Sequence, residues 1–125
     1  MKMENRKKVF IIETETYKDS LIKLKDAEVI RSVEKKVRKL IENPNIAVPM
    51  SKQHFGICEI KVTDKYRVYC LKKERAIILF ILGPAIHHKK NYGISKEYLK
   101  LFNQMKEVEK EFNDKFLDDL EKSIN

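Results

Sequence analysis

A chain of 125 residues with 42% hydrophobic and 37% charged residues is one domain's worth of sequence, able to bury a single modest core. No stretch is apolar for long enough to span a bilayer, and the basic start, Met1 to Lys8, has no signal-peptide hydrophobic segment behind it, so a cytoplasmic protein is expected. The net charge of +8 is uneven: residues 95–125 carry six Lys against eight Asp and Glu, while the first 94 carry 21 Lys and Arg against 11 acids. A basic body with a mildly acidic tail points to a polyanionic partner, with RNA, DNA and the ribosome as the leading candidates.

The first element is the β-branched and aromatic run K-V-F-I-I-E, Lys8 to Glu13, read as a strand. Thr16 is placed to cap a short helix whose apolar face is Tyr17, Leu21 and Leu24. Asp26 opens a longer helix with Ile30, Val33, Val37, Leu40 and Ile41 at helical spacing, and Pro44 stops it. Such a hairpin with one apolar side needs a sheet to lie on. Residues Pro44 to Gly56, with His54 among them, are read as a loop.

Two alternating runs follow, Ile57 to Val62 and Tyr66 to Leu71. A two-residue loop would set Ile60 opposite Arg67, mixing core with charge. A three-residue loop, Thr63-Asp64-Lys65, pairs Val62 with Tyr66, Lys61 with Arg67, Ile60 with Val68, Glu59 with Tyr69 and Cys58 with Cys70. One face is then apolar, and the other gathers Glu59, Lys61, Arg67 and Tyr69. The two cysteines, with no C-x-x-C spacing, read as small buried hydrophobes rather than a redox pair or a disulfide framework.

The run Ala76 to Leu82 does not alternate, so it is expected to be a central strand covered on both faces. Just beyond it lies A-I-H-H-K-K-N-Y, Ala85 to Tyr92. Residues Ser95 to Ile124 read as one last helix with a stripe of Tyr98, Phe102, Met105, Val108, Phe112, Phe116 and Leu120. At 1.5 Å per residue it would be about 43 Å long, so it either wraps the sheet or projects and pairs. Three glycines and no glycine-rich loop exclude a P-loop or dinucleotide fold.

Directly opposed Lys61 and Arg67 would have Cβ atoms about 5 Å apart, and two cations that close repel unless an anion sits between them. With Glu59, Tyr69 and, near the edge, His87, His88, Lys89 and Tyr92, the face has the parts for cutting RNA through its own 2′-hydroxyl. That chemistry needs a base for the hydroxyl proton, cations for the phosphorane and an acid for the leaving oxygen, and it needs no cofactor. The plainer alternative is a solvated sheet face with ordinary cross-strand charge pairs. A metal site is not expected. Adjacent histidines point different ways, and the third ligand would have to be His54.

The order β-α-α-β-β-β carries the phrases L-I-E-N-P (Leu40 to Pro44), E-I-K-V (Glu59 to Val62), K-Y-R-V-Y (Lys65 to Tyr69) and H-H-K-K-N-Y. Together these resemble the RelE/ParE toxin superfamily, and its RelE-like mRNA interferase branch in particular, over Val9 to Tyr92. The resemblance implies an α+β fold: a small antiparallel sheet of four strands with a helical hairpin on one face, residues 1–94, followed by a long C-terminal helix, residues 95–125. It implies a metal-independent, ribosome-dependent mRNA endoribonuclease of a toxin–antitoxin system, held inactive by an antitoxin. The implied catalytic set is Glu59 or Lys61 as base, Arg67 on the phosphate, and His87, His88 or Tyr92 as acid or stacking contact. The implied RNA contacts are Lys61, Lys65, Arg67, Tyr69, Lys89 and Lys90. Two positions depart from the RelE pattern: Glu59 stands where lysine is usual, and His88 where arginine is commoner. Two other readings stay open, a non-catalytic ribosome- or RNA-binding protein and a ParE-type gyrase inhibitor. The 33 residues after Tyr92 exceed the family's usual length. They imply an extra core helix, a homodimer contact, or a built-in inhibitor lying over the basic face.

Overall fold

The computed structural model describes residues 9–50, 57–86 and 96–124. Among these the strands are β1 (Phe10–Glu13), β2 (Val48–Pro49), β3 (Ile57–Lys61), β4 (Tyr66–Lys72) and β5 (Ala76–Pro84), joined in the order β1-β5-β4-β3-β2. Helices α1 (Glu15–Leu24) and α2 (Ala27–Glu42) pack on one face, while α3 (Lys96–Glu109) and α4 (Asp114–Ile124) pack on the other. The α+β class and the hairpin on one face are as expected, but the sheet has five strands here, and β1 runs parallel to β5. The added strand β2 arises inside the expected loop. It is two residues long, and Pro49, lacking an N–H, fits a ladder only at a sheet edge, which is where β2 lies.

The non-alternating run forms β5, flanked by β1 and β4, and Ala76 to Phe80 are all buried. Ile77, Leu79 and Leu82 face the hairpin, whereas Ala76, Ile78, Phe80 and Ile81 face α3 and α4. Strict alternation would put Leu82 on the second face. A bulge resets the parity: Tyr69 pairs with Ile81 and Cys70 with Leu79, leaving Phe80 as the extra residue.

Where β1 ends, α1 takes over the edge of β5. The Thr14 hydroxyl donates to the carbonyls of Leu79 and Phe80, both at 3.0 Å, and accepts from Tyr17 N–H at 3.1 Å. Thr14 is therefore the cap of α1 in place of Thr16. Ser20 Oγ accepts from Leu82 N–H at 3.0 Å, so two hydroxyls satisfy backbone groups around the bulge. Asp26 caps α2 as expected, accepting from Glu28 and Val29 N–H. Between the helices Lys25 takes a left-handed turn. Val33 and Leu40 bury against the sheet, but Ile41, expected on that face, is 75% exposed.

The second face is a core too. Ile57, Tyr69, Leu71, Ile78 and Phe80 of the sheet pack against Leu101, Met105 and Leu117. The expected single C-terminal helix is broken at residues 110–113. Asn113 Oδ1 accepts from Phe116 N–H at 2.9 Å, capping a new helix with Asp114 in its first turn. The break turns Leu117 onto the sheet and sets the Phe112 and Phe116 rings edge to face, 5.1 Å apart. The tail's acidity has a local target: Arg75, between β4 and β5, pairs with Asp118 at 2.9 Å and Glu121 at 3.0 Å, and Lys73 pairs with Glu109 at 3.6 Å.

Replacing Thr14 by Val keeps its shape and the N–H bond to the Leu79 carbonyl, but takes the hydroxyl from the Phe80 carbonyl and from the Tyr17 amide, and should cost about 2 kcal/mol in a denaturant titration. A chain ending at Gly93 should lose its cooperative thermal transition or self-associate in sedimentation. Three buried apolar side chains at about 1.5–3 kcal/mol each are comparable to the whole stability of a small domain. A monomeric, cooperatively melting truncation would show that the second core is dispensable.

Candidate functional site

The β3–β4 register matches the sequence expectation: Lys61 faces Arg67, Ile60 faces Val68, Glu59 faces Tyr69 and Cys58 faces Cys70. The turn is held by the Thr63 hydroxyl, which accepts from the N–H groups of Lys65 and Tyr66, both at 3.2 Å. Glu59, Lys61, Arg67 and Tyr69 therefore share the second face, at the corner where β3, β4 and the end of β5 meet. Cys58 and Cys70 lie in the hairpin core without a disulfide between them, and the Cys70 thiol donates to the Cys58 carbonyl at 3.6 Å. Burial raises the pKa of both, which keeps them protonated and unreactive.

The two neighbouring cations carry their own counter-ions. Arg67 Nε donates to Glu59 Oε1 at 3.3 Å, and Lys61 Nζ lies 3.4 Å from Asp64 Oδ1. Arg67 Nη1 also donates to the carbonyls of Thr63 and of Tyr66, the latter at 3.1 Å. The Arg67 and Glu59 side chains are 14% and 27% exposed, so the pair is partly withdrawn from water, while Lys61 at 64% stands open. Nη2 of Arg67 has no partner among the described residues. Lys65 is exposed on the turn, and its carbonyl accepts from Ala85 N–H at 2.9 Å.

Tyr69 is placed differently from the open polar face that the alternation suggested. It is only 2% exposed, beneath α3, and its hydroxyl donates to the Pro84 carbonyl and accepts from Ile86 N–H at 3.0 Å. Burial pushes its pKa up to about 12, against the opposing pull of the Ile86 hydrogen bond. Its hydroxyl thus ties together the backbone of Pro84 and Ile86 at the end of β5. His54, His87, His88, Lys89, Lys90 and Tyr92 lie outside the described residues.

Sequence reasoning missed the residues that α3 brings to this corner. Lys100, Leu101 and Gln104 stand across from Tyr69, Ile81, Gly83 and Pro84, around a cavity of about 220 Å³. The only hint was the length of the tail. Among the described residues no group of three or more His, Cys, Asp or Glu could hold a metal ion, and no helix is long and apolar enough to cross a membrane.

No family model matches the sequence, and no curated protein matches it. Solved structures do match the fold. The toxin–antitoxin complex RelBE2 from Mycobacterium tuberculosis superposes with a TM-score of 0.52 at 15% identity, covering 62% of this chain and 99% of that one. A YoeB/ParE toxin from Agrobacterium tumefaciens superposes with a TM-score of 0.51 at 12% identity, covering 62% of this chain and 100% of that one. At 62% of 125 residues each match spans about 78 residues. Over that share of its length the chain has the fold of the RelE/ParE/YoeB-type toxins.

Proposed function

We propose that this protein is a RelE-like toxin, a metal-independent endoribonuclease that cuts mRNA on the ribosome and is neutralised by an antitoxin. The observation that carries the reading is the Glu59–Arg67 pair, half withdrawn from water at one corner of a toxin-type sheet. A phosphate arriving at Arg67 competes with Glu59 for the guanidinium, and Nη2 offers it a further donor. A phosphate that takes over the guanidinium leaves the Glu59 carboxylate without its hydrogen-bond partner and free to turn to the 2′-hydroxyl. Glu59 then takes the proton of the 2′-hydroxyl, whose oxygen attacks the adjacent phosphorus. Arg67 and Lys61 stabilise the dianionic phosphorane, and the 5′-oxygen leaves with a proton from an acid in the segment His87–Tyr92. The products are a 2′,3′-cyclic phosphate and a free 5′-hydroxyl.

Exposed and paired with Asp64, Lys61 suits phosphate attraction better than proton abstraction. Lys65, Lys89 and Lys90 would add contacts to the RNA backbone, and a protein acting on ribosomes would work in the cytoplasm. An antitoxin partner is supported by the RelBE2 structure, which is itself a toxin–antitoxin complex. One observation favours a second reading, a non-catalytic ribosome- or RNA-binding protein: Arg67 is already held by Glu59 and two carbonyls, as a purely structural arginine would be.

Mapping mRNA 5′ ends on programmed ribosomes separates the two. Glu59→Gln and Arg67→Ala should each lower cleavage by about 100-fold or more, with Arg67→Lys and a thermal melt guarding against simple unfolding. If wild-type protein binds ribosomes without cutting, and Arg67→Ala only reduces the salt slope of binding by about one, the enzyme reading is wrong and the binding reading stands.

A further inference from the structure

We propose that the cavity between the end of β5 and α3 receives one nucleobase of the RNA, next to the phosphate held by Arg67. The proposal rests on the ribonuclease reading and assigns that site a base-recognition pocket whose outer wall is α3.

Position comes first. Gly83 lines the cavity and is the direct cross-strand partner of Arg67, so their Cα positions are neighbours on the same face. A backbone phosphate on the guanidinium would set its adjoining nucleotide at the cavity mouth. Shape comes next. Tyr69, Ile81, Gly83 and Pro84 make an apolar floor, and the one polar group in that floor, the Tyr69 hydroxyl, has both its donor and its acceptor satisfied by Pro84 and Ile86. An apolar, flat-sided ligand is therefore favoured over one that needs hydrogen bonds from below. At about 220 Å³ the space is below the usual range of pockets for larger ligands, which suits a single ring system.

Charge and chemistry complete the match. Lys100 lines the cavity, and Arg67 and Lys61 lie one and two strands from Gly83 across the sheet, so cations stand beside an apolar slot, as in sites for single-stranded nucleic acid. Gln104, exposed on α3, presents a donor and an acceptor together, the pairing that reads the edge of adenine. Gly83 does not owe its lack of a side chain to crowding. An added Cβ would meet only Tyr69 Cε2, at 3.8 Å, so the bare position leaves room that a larger residue would take up.

The test uses full-length protein and programmed ribosomes whose mRNA carries a single abasic ribose, moved one position at a time across the A-site codon. For wild type, one abasic position should weaken binding and cleavage by about tenfold or more. Gly83→Val, which narrows the cavity, and Gln104→Ala should bind intact mRNA about as weakly as wild type binds the abasic one, and should lose the abasic penalty, with melting temperatures unchanged. Uniform response to every abasic position, or the same penalty in the variants, overturns the pocket. If Arg67-dependent cleavage persists in that case, the ribonuclease reading survives alone; if no form binds or cuts, both fall.

Discussion

Every layer of this fold follows from the double burial of β5. A strand with apolar residues at every position from Ala76 to Leu82 must be covered on both sides, and each side here has its own pair of helices. The bulge at Phe80 then shifts the parity, so that Leu82 faces the hairpin while Ile81 and Gly83 face α3. Thr14 and Ser20 make that shift tolerable by taking up the backbone groups beside it. The same shift places Gly83, not a large apolar residue, across from Arg67. Packing of the central strand and the composition of the candidate site are thus one problem with one solution.

The electrostatics of the corner depend on that burial. Arg67 is drawn inward by two carbonyls and one carboxylate, whereas Lys61 faces water with an exposed aspartate beside it. Two opposed cations on neighbouring strands would repel, and the chain resolves this with separate counter-ions before any substrate arrives. An exposed pair such as Lys61–Asp64 contributes little to stability and is easily displaced. The Arg67–Glu59 pair is better shielded, which is what the proposed exchange for a phosphate has to overcome.

Much of this was legible in the sequence because alternation has a fixed period. The register of β3 against β4 followed from keeping Ile60 and Val68 on one face, and the gathering of Glu59, Lys61 and Arg67 followed from the register. The features that escaped are those periodicity does not encode. Two residues ending in Pro49 make too short a signal to read as a strand. The parallel pairing of β1 is a matter of topology, not pattern. Alternation put Tyr69 on a polar face and could not say that a distant helix would roof it. Asn113-Asp114 did carry a capping signal, but the apolar stripe running through it masked the break.

The arrangement of charges on α3 and α4 also bears on whether the tail restrains the site. An electrostatic brake would set its acids over Lys61 and Arg67. Instead Glu109, Asp118 and Glu121 engage Lys73 and Arg75 beyond the far end of β4. Six residues of extended strand separate Arg67 from Lys73, about 20 Å. The part of α3 beside the site presents Lys100 and Gln104, a cation and an amide, which favour a polyanion. Glu109, Asp118 and Glu121 hold the tail at one end of the sheet, while Lys100 and Gln104 line the cavity at the other. On this geometry α3 completes the core and walls the corner.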